Sequence, residues 1–285
     1  EIILFLFNLV PRLVYSLFWL LSLLPLRVLY LLSDCVYLIV RFVAHYRRKV
    51  IRQNLAESIP EKSEKERRHI EARFYRLMCD YFVENIKLCS ISRKQMMRRM
   101  TFGGLEDVRT SFQSGHQFIF VFLGHFGNWE WIASLQYWLP EIHCTQLYHK
   151  LRSESMDYFF QRTRNQYGGE SINMKKAMRR LVTLRKGDKK VIVGMIADQQ
   201  PKWDAIHHFT SFLHHDTAVF IGTEHIAKMF GSAVFYGKVT RPRRGYYHCE
   251  FVRMTNTPKE FPDYQLTDRY MQMLEQDIQD EPYLW

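Results

Sequence analysis

The sequence predicts an α/β protein with a mixed, mostly parallel sheet flanked by helices, preceded by an apolar helical segment that associates with a membrane. Three observations carry this. From about residue 117 onward, short runs rich in Val, Ile, Phe and Tyr alternate with stretches of helical periodicity, the order expected of an α/β sandwich. Residues 2–46 are the most apolar part of the chain. Between the two lies a helix with its own start signal, Ser63-Glu64-Lys65-Glu66 after Pro60, a capping-box pattern. The expected division is residues 1–46 as the membrane-associated segment and residues 47–285 as one larger domain.

The apolar segment is interrupted by Arg12, Arg27, Asp34 and Arg41. Its longest charge-free interior stretch, Leu13 to Leu26, spans roughly 21 Å as helix, short of the roughly 30 Å of a bilayer core. Two arrangements fit: a tilted span with Arg27 reaching the interface, or a pair of helices lying in one leaflet, broken near Pro11 and Pro25. No small-residue cleavage site follows the first apolar run, so the apolar start is expected to stay. Arg47, Arg48, Lys49 and Arg52 follow at once. Such a basic flank marks the cytoplasmic side and attracts anionic lipid heads, which puts the rest of the chain in the cytoplasm.

The capping box opens a helix over about 64–89, with Ile70, Phe74, Leu77, Met78, Tyr81, Phe82 and Ile86 at helical spacing. Ser92 starts a short basic helix carrying Arg93, Lys94, Arg98 and Arg99. Strands are expected at 117–123, 143–148, 189–196, 232–240 and 246–254. Helices are expected at 128–138, 153–166, 174–186, 217–230 and 265–280, with Gly231 as a C-terminal cap.

Forty Lys and Arg against 29 Asp and Glu leave a formal charge of +11, which favours an acidic partner: an anionic membrane, a phosphorylated substrate, an acidic protein or nucleic acid. Nucleic acid is disfavoured, because the basic residues adjoin an apolar segment and no nucleic-acid motif is present. The five cysteines are widely spaced with no C-x-x-C, so neither a disulfide framework nor a thiolate zinc site is indicated. His207, His208, His214 and His215 form a cluster without an acidic or cysteine ligand at a recognised spacing. It reads as a loop, and no metal is expected.

HFGNWE at 125–130 carries the chemistry. A strand at 118–123 delivers His125 to its carboxyl end, where ligands bind in open α/β sheets. Gly124 and Gly127 relax the backbone, Asn128 can start the next helix, and Glu130 falls in its first turn, in reach of the imidazole. A carboxylate on one ring nitrogen would fix the tautomer and support the cation formed when the other takes a proton. The alternative is that His125 only caps the helix and Glu130 faces its positive end. The spacing is not the H-E-x-x-H zinc pattern.

HFGNWE, TRNQYG at 163–168, VIVGMIADQQP at 191–201 and TAVFIGTEHIAKMFGSAVF at 217–235, with NLAESIPEKSEKE at 54–66, resemble in this order the blocks of the lipid A late acyltransferase family. These are the lauroyl and myristoyl transferases, within the wider glycerolipid acyltransferases that carry an H-x4-D/E motif. The resemblance implies a glycerolipid-acyltransferase-like sandwich at the bacterial inner membrane. It implies transfer of a fatty acyl chain to a lipid A precursor hydroxyl from acyl carrier protein, or from acyl-CoA, as co-substrate, with no other cofactor. Its expected partners are acyl carrier protein, a phosphorylated membrane glycolipid and anionic lipids.

By the same resemblance His125 is the general base and Glu130 its orienter. Arg164 binds the substrate's anionic groups or stabilises the oxyanion, Gln199 binds substrate, and Asn128 and Asp198 are architectural or substrate-orienting rather than proton-transferring. Where relatives show arginine-proline after the second strand, this chain has Tyr148-His149-Lys150-Leu151, and Lys150 supplies the charge without arginine's fork. The competing readings are an acyltransferase for a lysophospholipid or another glycolipid, and an inactive membrane scaffold.

Overall fold

The computed structural model describes the backbone of residues 2–285 and the side chains from Leu9 onward. Helix α1 (Ile2–Ser22) and helix α2 (Leu26–Leu38), which ends in a π-helical turn at Ile39–Val43, are bent by 111° at the break between them. Among the described residues no single helix is long and apolar enough to cross a membrane, while this bent pair is so by length and composition together. The break expected near Pro11 does not occur: α1 runs through it. Proline's fixed φ suits a helix at the cost of one hydrogen bond. At Pro25 ψ is 143°, so the chain leaves helical space there and the break follows.

The chain continues through α3 (Arg48–Ser58), α4 (Glu64–Lys87), α5 (Arg93–Arg99), β1 (Met100–Gly103), α6 (Leu105–Gln113), β2 (Phe118–Leu123), β3 (His143–Tyr148), α7 (Glu154–Asn165), β4 (Glu170–Asn173), α8 (Ala177–Arg185) and β5 (Val191–Ile196). It closes with β6 (Phe209–Phe212), β7 (His215–Ala218), α9 (Gly222–Phe230), β8 (Ala233–Arg243), β9 (Tyr246–Thr255) and α10 (Gln265–Asp280). The capping box forms as read: Ser63 Oγ accepts from Glu66 N at 3.3 Å, and Ser63 N donates to Glu66 Oε2 at 2.7 Å. Ser92 Oγ likewise accepts from Gln95 N.

The main sheet has the order β1-β9-β8-β2-β5-β3-β4. Every neighbouring pair is parallel except β8–β9, so the sheet is mixed and mostly parallel. β2 lies inside it, and all of its residues are buried, as its unbroken run of apolar side chains requires of a strand covered on both faces.

Local structure departs from expectation in three places. Residues 129–137 form a 3-10 helix rather than an α-helix. The helix expected from 217 begins at Gly222, because residues 215–218 are strand β7 of a hairpin with β6. The two turn residues of that hairpin, Leu213 and His214, both have positive φ, a geometry normally flagged by Asn or Gly. The short strands β1 and β4 and helices α3 and α6 were not expected, the strands being too short to show a period.

The apolar segment is fastened to the rest of the chain. Lys87 Nζ donates to the carbonyls of Ser22 at 2.6 Å and Leu24 at 3.1 Å, a cation on the negative end of α1. Ser33 on α2 donates to the buried Asp80 at 2.8 Å, and Tyr30 donates to the buried Glu84 at 2.9 Å. The outer faces of α1 and α2 are different: Leu13, Leu17, Leu20, Leu31, Ile39 and Val43 are each more than half exposed.

Candidate active site

The carboxyl ends of β2 and β5, neighbours in parallel register with Leu123 opposite Ile196, bring His125 and Asp198 together. Asp198 Oδ1 lies 2.6 Å from His125 Nδ1, and Asp198 Oδ2 accepts from the His125 backbone N–H at 2.8 Å and from Trp285 Nε1 at 2.9 Å. The turn between strand and site needs its glycines. A Cβ on Gly124 would lie 2.7 Å from Leu274 Cδ1, and Gly127 has φ of +63°, the left-handed region glycine favours. Gly127 N donates to the Leu284 carbonyl at 2.7 Å, which locks the C-terminal turn against the histidine loop. Tyr270 Oη donates to the Leu123 carbonyl at 2.7 Å, closing the strand end from the α10 side.

Burial opposes ionisation of Asp198, but the hydrogen bonds and charge of His125, aided by Trp285, outweigh it and hold its carboxyl below the usual range. An ionised Asp198 can only accept, so Nδ1 of His125 is the donor, and in the neutral form of the ring Nε2 is the acceptor. The Asp198 side chain is 2 % exposed and that of His125 33 %, so the base is open to a ligand and its partner is not.

His125, Asp198 and Gln199 line a cleft of about 330 Å³ whose other walls include Leu55, Ile59, Phe74 and Ile278. It is a largely apolar slot with a proton acceptor among its lining groups, the form of a site for an elongated apolar ligand.

Glu130 does not face His125, as the sequence suggested. It is 3 % exposed and meets Arg164 in a two-pronged ion pair, 2.6 Å at both contacts. Trp129 Nε1 donates to Glu130 Oε1 at 3.1 Å, and the Trp129 ring stands edge-on to the His125 ring, centroids 5.0 Å apart. Glu130 thus reaches the histidine only through Trp129. Residues 129–137 wind as a 3-10 helix, whose residues are spaced differently around the axis from those of the α-helical first turn expected there. Arg164, whose charge Glu130 sustains against the cost of burial, faces that carboxylate and does not line the cleft.

Asn128 is fully buried. Its side chain caps nothing and instead donates to Glu84 Oε2 at 2.9 Å, beside the Tyr247 hydroxyl, which donates to the same oxygen at 2.8 Å. Its contacts are with the buried Glu84 beneath the histidine loop, and it is not among the cleft-lining residues. Lys150 is exposed beyond β3 and is not among the cleft-lining residues. His208 pairs with Asp268 at 2.7 Å and stacks on Tyr264. Among the described residues no group of three His, Cys, Asp or Glu is arranged to hold a metal.

Sequence reading missed Trp129, Trp285 and the carboxylates Asp80 and Glu84. Burial pushes the Glu84 carboxyl up, against the pull of Arg241 and the donors around it. The signal for the last two was present: acids one turn apart within the apolar run of α4 need buried partners.

The profile of the bacterial lipid A biosynthesis acyltransferase family matches residues 7–285. A comparison with curated proteins finds no match.

Proposed function

Since the chain belongs to the bacterial lipid A biosynthesis acyltransferase family, and is an acyltransferase of lipid A synthesis, we propose that His125 is its general base, oriented by Asp198 with Glu130 acting at one remove. The donor in this reading is acyl carrier protein and the acceptor a hydroxyl of a phosphorylated glycolipid precursor. The observation that carries it is the His125–Asp198 pair at the end of the apolar cleft.

The chemistry follows from the free Nε2. It takes the proton of the acceptor hydroxyl as the oxygen attacks the thioester carbonyl, and the imidazolium is stabilised by the Asp198 anion. Collapse of the tetrahedral intermediate breaks the carbon–sulfur bond, and the imidazolium returns its proton to the departing thiolate. No covalent enzyme intermediate is required. The acyl chain lies along Leu55, Ile59 and Phe74, Gln199 at the cleft mouth contacts the substrate's polar end, and the Glu130–Arg164 pair holds the Trp129 ring against the base.

Action at the inner membrane, from the cytoplasmic side, is supported by the exposed leucine face of α1 and α2, too large an apolar surface to leave in water, and by the basic flank that follows it. The bent pair suits a hairpin lying in one leaflet.

The test is transfer from radiolabelled acyl carrier protein to an under-acylated lipid A precursor and, in parallel, to lysophospholipid, with wild type and His125→Ala in detergent. Transfer to the precursor that vanishes in the variant supports the proposal. Transfer to lysophospholipid alone moves the acceptor to another membrane lipid.

A further inference from the structure

Five arginines converge on a recess of about 230 Å³ that the reaction above does not use: Arg73, Arg76, Arg241, Arg243 and Arg244, with Tyr283 on the wall. Arg73 and Arg76 stand one turn apart on α4, and the other three come from the end of β8 and the turn into β9. Their compensation is incomplete. Arg241 and Arg244 are held by Asp80, both at 2.6 Å, and Arg244 also by Asp34 at 2.9 Å. Arg73 comes no closer than 3.8 Å to Glu281, and Arg76 no closer than 4.0 Å to Asp34. Arg243 stacks over the Tyr246 ring at 3.8 Å and has no carboxylate partner among the described residues.

A second observation points to a ligand. The Arg241 side chain is 9 % exposed, and its Nε is buried with no hydrogen-bond partner. Arg241 lines the recess with its guanidinium pinned by a buried aspartate, and its unpaired buried donor leaves a desolvated positive charge that a bound oxyanion would offset. Planar forks arranged around a concavity match a phosphate better than a carboxylate on a protein surface, which would meet a convex face.

The place of the recess narrows the occupant. Phe74 and Pro282 line the acyl cleft, while their neighbours Arg73 and Tyr283 line the recess. Helix α4 and the C-terminal turn are therefore a shared wall between the two. Asp34, which reaches Arg244, lies on α2 between the exposed Leu31 and Val36. A ligand in the recess is thus anchored next to the apolar face and one wall away from the base.

We propose that this arginine recess binds a phosphate group of the glycolipid acceptor, holding the sugar so that a hydroxyl reaches His125. The inference rests on the acceptor class given under Proposed function, and its test reads binding rather than turnover.

Binding of the full chain is measured to phosphatidylcholine vesicles carrying a bisphosphorylated lipid A precursor or its dephosphorylated form. The proteins are wild type, His125→Ala and the double variant Arg73→Gln/Arg243→Gln. Arg243 has no carboxylate partner among the described residues and Arg73 only the half-exposed Glu281 at 3.8 Å, so neither is part of the tight pairs on Asp80, and a thermal melt checks the fold. Wild type and His125→Ala should prefer the phosphorylated lipid by roughly tenfold or more, and the double variant should lose most of that preference. An unchanged preference in the folded double variant overturns the proposal. So does an equal loss of binding to phosphatidylglycerol vesicles, which would make the cluster a general membrane contact. Inorganic phosphate binding as tightly as the lipid would assign the recess to a free anion, and lost affinity for acyl carrier protein with the lipid preference intact would make it a protein dock. Binding that behaves as expected in an enzyme that transfers no acyl chain would leave the recess standing and the reaction in error.

Discussion

The imidazole Nδ1 of His125 lies 2.6 Å from Oδ1 of Asp198, a residue just past the end of the neighbouring strand, and not against Glu130, its near neighbour in sequence. The two carboxylates of the site therefore have separable roles. Asp198→Asn should lower kcat by about 10³- to 10⁴-fold with little change in KM, because an amide cannot hold the reactive tautomer. Glu130→Gln, measured on folded protein in the same assay, should cost far less. Equal losses in the two variants would return the orienting role to Glu130.

Glu130 and Arg164 should matter most to stability. Removing the charge of Glu130 leaves a buried guanidinium without its counter-ion, and Glu130→Gln should cost about 3 kcal/mol in a urea melt. Adding Arg164→Met should recover at least half of it, since an apolar pair removes the stranded charge. A double variant no better than the single would show that the pair is held for some reason other than its own charge balance.

Most of the scaffold was legible in the sequence, and most of the pairing was not. The five long strands and the helices α4, α7 and α10 came from period and caps, which are local. His125 follows from its place at a strand end, whereas Asp198 is marked only by the family resemblance and not as the partner of His125. Their contact depends on β2 and β5 being neighbours in the sheet, a long-range fact that no local pattern carries. The reading of Glu130 toward His125 rests on an α-helical first turn and on the resemblance, whereas residues 129–137 wind as a 3-10 helix and Glu130 meets Arg164 instead. Nothing local marks Arg241 and Arg244; only the fold sets them over Asp80 and Asp34.

Asp198 also predicts a pH dependence of stability. Its folded-state pKa is depressed, so the native state binds fewer protons than the unfolded chain as the carboxyl titrates. The stabilisation is fully present above the ordinary aspartate value of about 4 and is lost as pH falls through the lower folded value. Melting temperatures of wild type should therefore fall more steeply below about pH 4 than those of Asp198→Asn. Parallel curves would mean that Asp198 carries no net stabilisation.

Trp285 reaches the same carboxylate. Its indole N–H donates to Asp198 Oδ2 at 2.9 Å while its ring packs edge-on to Phe212. Trp285→Phe keeps the ring and removes the donor. With the indole partly exposed, the expected cost to stability is about 1 kcal/mol, with a several-fold fall in kcat and an unchanged KM. A rise in KM alone would make Trp285 a wall of the cleft rather than a support for Asp198.

The cleft makes the last prediction, about which chain is transferred. Its apolar wall includes Leu55 and Ile59, and Leu55 is only partly buried, so a larger side chain there intrudes on the slot without disrupting the core. Each methylene withdrawn from such a surface forfeits about 0.8 kcal/mol. Leu55→Trp should therefore shift preference toward donors shorter by about two carbons, with roughly tenfold discrimination against the longer chain in kcat/KM. Competing acyl donors of graded length, supplied together and read by mass spectrometry of the product, check this directly. A uniform loss at all lengths would mean that the acyl chain lies elsewhere and that this slot serves the acceptor.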